Sequence, residues 1–82
     1  MAEKQSLAMY SQKDVVEWFT YLDKLRKSGA TNMMGASPYL VGQFGLSNDK
    51  AKWILSLWMK TFDEKITVDR RSRVVYFANG GT

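Results

Sequence analysis

The sequence predicts a mainly α domain, three helices followed by a C-terminal β-hairpin. Three observations predict it. Apolar residues recur at helical spacing from Val15 to Leu25 and again from Leu40 to Phe62. Gly29 and Gly45 stand where helical runs should stop. After Phe62 the period shortens: Ile66 and Val68 alternate with Thr67 and Asp69, and a polar stretch leads into Val74, Val75, Tyr76 and Phe77. The 82 residues suit one domain over 11–77, with a flexible N-terminal segment at 1–10, whose Leu7, Met9 and Tyr10 are able to fold back on the core, and a disordered tail at 78–82.

Ser11 starts the first helix, with Asp14 three residues on in a shortened capping box. Val15, Trp18, Phe19, Leu22 and Leu25 form its apolar stripe, which ends near Lys27. Tyr21 sits off that stripe, half exposed. The connection SGATNMMGA is too apolar for a floppy linker. Thr31 or Asn32 is placed to cap a single turn carrying Met33 and Met34, and flexible thioethers there suit gap-filling between helices or an adaptable contact surface. Ser37 is the expected cap of a short helix with Pro38 at its first position. Leu40, Val41 and Phe44 make its apolar face, Gly45 the left-handed stop and Leu46 the corner. Ser47 caps the next helix, 48–61, with Asp49 in the first turn and Ala51, Ile54, Leu55, Trp58 and Phe62 on one stripe. In the hairpin, Val74 and Tyr76 share one face and Val75 and Phe77 the other.

Composition narrows the chemistry. The chain has no cysteine and no histidine, so disulfides and the usual zinc, copper or iron ligands are missing. No cofactor is expected. MAEKQSLAMYSQKD lacks the build of a signal peptide, and no apolar run is long enough for a membrane span. Catalysis is the weakest class, with no imidazole or thiol, no Ser in a nucleophile elbow, and carboxylates on separate faces. The formal charge is +4, from 12 Lys and Arg against 8 Asp and Glu. That favours phosphates or an anionic surface, weakly. Lys24, Arg26 and Lys27 read most simply as a solvated helix end. Arg70, Arg71 and Arg73 divide evenly between that reading and a binding cluster.

Leu40, Val41, Phe44, Gly45, Leu46, Ala51 and Ile54 fill the apolar, glycine and small positions of a pattern that resembles the helix-turn-helix of DNA-binding proteins, although the family prefers alanine where Val41 stands. Helices followed by a basic hairpin are similar in order to a minimal winged helix. The resemblance implies that helix 48–61 enters the major groove of double-stranded DNA, commonly as a homodimer. Ser47, Asn48, Lys50 and Lys52 would then face bases and phosphates, and Arg70, Arg71 and Arg73 would hold the backbone from the wing. Asp49 and Trp53 oppose this, since one repels phosphate and the other is large and apolar. The segments TNMMGA, PYL, FGLS and WMKTF also resemble a family of short uncharacterised bacteriophage-encoded proteins, with Gly42 and Gln43 where that family is acidic. This implies a phage or prophage origin and action in the cytoplasm of a bacterial host.

Two functions stay open. One is a small non-enzymatic DNA-binding regulator, which requires Lys50, Lys52, Arg70, Arg71 and Arg73 on one basic face. The other is an adaptor that binds a host or phage protein through an exposed aromatic and methionine surface, with Tyr21, Trp53 and Leu57 as the contact residues.

Overall fold

Ser11 opens the first helix in the computed structural model of the protein, which describes residues 6–81. Its Oγ accepts a hydrogen bond from Asp14 N at 3.2 Å, and Asp14 Oδ2 accepts one from Ser11 N at 3.0 Å. The reciprocal pair satisfies two donors that a helix start leaves free. Helix α1 runs Gln12–Ser28 and stops at Gly29. Val15, Phe19 and Leu22 are fully buried, with Trp18 and Leu25 close behind.

A three-residue 3-10 turn, Met33–Gly35, follows, with Asn32 Oδ1 accepting from Met34 N at 2.9 Å. It runs straight into α2, Ser37–Phe44. Ser37 therefore does not cap this helix. Ala36 holds the N-cap place with helical backbone angles and no side-chain bond, and its carbonyl accepts from Tyr39 N and Leu40 N. Ala36 is fully buried, so the small side chain is what lets the turn and the helix meet closely.

Gly45, at φ 70°, turns the chain toward α3, Asn48–Thr61. A Cβ there would meet nothing within 4 Å, so the backbone angle alone demands glycine. Ser47 Oγ accepts from Lys50 N at 3.1 Å, and α3 buries Ala51, Ile54, Leu55 and Trp58 on the expected stripe.

The expected C-terminal β-hairpin is absent, and with it the winged-helix architecture. Residues Val68–Ala78 form a fourth helix, α4, and no strand occurs among the described residues. Thr67 Oγ1 caps it by accepting from Arg70 N at 3.2 Å, Asp69 stands in the first turn, and Arg73 reaches back to Asp69 at 3.1 Å. The buried set is Arg71, Ser72, Val75 and Tyr76, with Val68 half-buried before it. Those positions keep a helical period, but two of them are polar, so the apolar pattern alone looked like alternation. Ser72 resolves its burial by donating to Asp69 O at 2.9 Å.

Helix α1 packs mainly on α4 and α2 on α3, while α3 also meets α1 and α4. The N-terminal turn closes the core. Leu7 is fully buried, Leu7 N donates to Asn79 O at 2.7 Å, and Tyr76 Oη donates to Tyr10 O at 2.8 Å. The flexible segment expected over 1–10 is thus tied down from Ser6 onward, and residues 1–5 lie outside the described residues. At the other end, Ala78 closes α4, Gly81 N bonds Tyr76 O at 2.8 Å, and Thr82 lies outside the described residues.

Candidate interaction surface

Helix α3 spends one side on the core and turns the other outward. Ala51, Ile54, Leu55 and Trp58 point in. One hundred degrees per residue then carries Asp49, Lys52, Ser56 and Lys60 to the opposite side, with Met59 at its edge. Met34, from the 3-10 turn, comes alongside. Together Met34, Lys52, Leu55, Ser56, Met59 and Lys60 line a groove of about 430 Å³. Its floor is apolar, with Met34 exposed at 74% and Met59 at 40%. Ser56 adds little polarity, because its hydroxyl donates to Trp53 O at 2.7 Å. Lys52 and Lys60 form the rim, and neither makes an ion pair among the described residues.

Of the five cations expected on one basic face, Arg71 and Lys50 are held by internal partners. Arg71 is 4% exposed and belongs to the core. Its guanidinium forks onto Asp23 at 2.7 and 3.2 Å, and its Nε donates to Ile66 O at 3.0 Å. Asp23 Oδ1 also accepts from Trp58 Nε1 at 2.9 Å, so one carboxylate joins α1, α3 and α4. Phe62 lies under Arg71 at 5.1 Å and under Arg26 at 4.5 Å. With every guanidinium partner internal, Arg71 is a structural residue and not a phosphate contact.

Lys50 is likewise occupied. Its ammonium donates to Ser6 O at 3.3 Å and stands over the rings of Trp53 and Tyr10 at 4.9 and 5.4 Å. Ser47 uses its hydroxyl as a cap. Asn48 and Lys52 remain exposed on α3. Arg70 and Arg73 are exposed on α4, the latter held by Asp69.

The predicted protein contacts are not the exposed ones either. Tyr21 packs edge-on against Phe44 at 5.5 Å, Trp53 lies half-buried under Lys50, and Leu57 packs against the core. Apolar side chains open to solvent include Met34 and Met59 at the groove, Met9 in the N-terminal turn, Tyr39 on α2, Ile66 just before α4, and Val74 and Phe77 on the outside of α4. A signal for Met34 stood in the sequence. Two consecutive methionines in a single turn cannot both face inward, and Met33 is the one that packs on the core. The outer strip of α4 was hidden by the strand reading, which sent Val74 and Phe77 to different faces.

No group of three or more His, Cys, Asp or Glu residues able to hold a metal occurs among the described residues. No helix among them is long and apolar enough to cross a membrane. No family model, curated protein or solved structure matches the chain.

Proposed function

We propose that this is a small non-enzymatic adaptor that docks another protein on the outward face of α3, within the bacterial cytoplasm that its phage-like segments imply. The observation that carries this reading is the groove in which exposed Met34 and Met59, over the buried Leu55, stand beside Lys52, one of the residues a DNA reader would present. A recognition helix meets a hydrated groove through polar side chains. Apolar thioethers gain nothing there, whereas a protein partner removes them from water. The loss of Arg71 and Lys50 from the basic set points the same way.

DNA binding keeps one specific support. The α2–Gly45–α3 corner leaves Asn48 and Lys52 exposed near the start of α3, where a helix-turn-helix reads bases. A photo-crosslinking amino acid at Ser56 separates the two readings in living bacteria. The adaptor reading expects one discrete protein adduct that Met34→Gln with Met59→Gln abolishes and that a crosslinker at Lys13 does not produce. Adducts to DNA, or a protein adduct indifferent to both methionines, would contradict it.

A further inference from the structure

The groove on α3 has features that specify its occupant. No strand occurs among the described residues, so no open sheet edge is offered to an extended peptide. No aromatic ring lines the groove, so a proline-rich helix finds no stacking surface. What remains is a shallow apolar floor running along a helix, the setting in which amphipathic helices dock through side chains. The rim fixes the charge. Lys52 and Lys60 are eight residues apart on α3, about 12 Å along its axis. Neither makes an ion pair among the described residues, and no carboxylate among them lines the groove. Of the acids near its ends, Asp49 shares the outward side of α3 one turn before Lys52 but pairs with no cation among the described residues, and Glu64 pairs with Arg26 at 3.2 Å.

Resting on the reading of this face as a protein-docking surface, we propose that the groove takes an acidic amphipathic helix of another protein. Its apolar side chains would lie on Met34, Leu55 and Met59, and two carboxylates about two turns apart would meet Lys52 and Lys60. Methionine adapts to varied apolar shapes, so charge spacing sets the selectivity more than side-chain shape does.

The full chain labelled with ¹³C at its methionine methyls tests this by NMR. Three helical peptides share one leucine stripe and carry glutamates at a spacing of eight, glutamines at the same positions, or lysines there. The glutamate peptide should shift the Met34 and Met59 methyl signals, leave Met9 unmoved, and bind about fivefold tighter than the glutamine peptide, as two exposed ion pairs allow. The double variant Lys52→Glu, Lys60→Glu, altered only at exposed positions, should reverse the ranking toward the lysine peptide. Equal binding by the glutamine peptide, with the same two methyls shifted, would overturn the acidic partner and leave the groove a protein site. Silence of both methyls with all three peptides would overturn the helical partner, while crosslinking at Ser56 decides separately whether a protein docks there.

Discussion

At the residue scale, stability converges on Asp23. Its carboxylate accepts from Arg71 and from the Trp58 indole, and removing it strands a buried guanidinium and an indole N–H together. Breaking one side of a buried pair is more destabilising than never having built it. Asp23 is a quarter exposed, so Asp23→Ala should lose about 3 kcal/mol, the lower end for such pairs. Asp23→Leu combined with Arg71→Met should recover most of that loss, read from urea midpoints in a double-mutant cycle. Gly45 gives a smaller, cleaner case. With open space around it, Gly45→Ala should lose about 1 kcal/mol through the left-handed backbone alone, and Gly45→Asn less, as thermal midpoints would report. That glycine was legible in the sequence, because a tight corner between two apolar runs needs it. Asp23 was not. A single acid in a run of Lys and Arg looks solvated, and only the fold shows which cation turns inward.

At the scale of elements, α1 and α3 could be read from the chain because their caps, stripes and stops agree. Ser11 with Asp14, Ser47 with Lys50 N, and the period of three and four all indicate the same helices. Helix α4 fails that test only in its middle. Thr67 and Asp69 mark a helix start, yet Val74, Val75, Tyr76 and Phe77 carry strand propensity, and packing on α1 overrides it. The sign of one substitution distinguishes the two structures. Val74 is 65% exposed, so Val74→Ala in a helix should be neutral or stabilise by about 0.5 kcal/mol. A strand at this position would lose stability instead. Far-UV circular dichroism with thermal melting reads both the helix content and the sign.

At the scale of the whole molecule, the N-terminal turn holds the ends of the fold together. It sets Leu7 into the core, ties to Asn79 beyond α4, and receives Lys50 from α3. Leu7→Ala should cost about 3 kcal/mol, with loss of protection at the Leu7 and Tyr10 amides in hydrogen exchange. The sequence marked Leu7, Met9 and Tyr10 as able to fold back on the core, and Leu7 and Tyr10 do while Met9 stays exposed. With no period to display, it could not show where they dock. The same is true of the groove, because Met34 and Met59 come together only when the 3-10 turn folds beside α3. Net charge is silent for a related reason. A net of +4 says nothing of which cations are used internally, and Arg71 and Lys50 are.

The most direct measurement is fluorescence anisotropy of labelled duplex DNA titrated with the protein at two salt concentrations. Docking of a protein on α3 predicts only weak binding, with Kd about 10 µM or above at physiological salt. That binding should fade steeply with salt, prefer no sequence, and ignore Met59→Gln. Tight binding that selects one sequence and is lost with Lys52→Ala would contradict it, and would make the outward face of α3 a DNA reader.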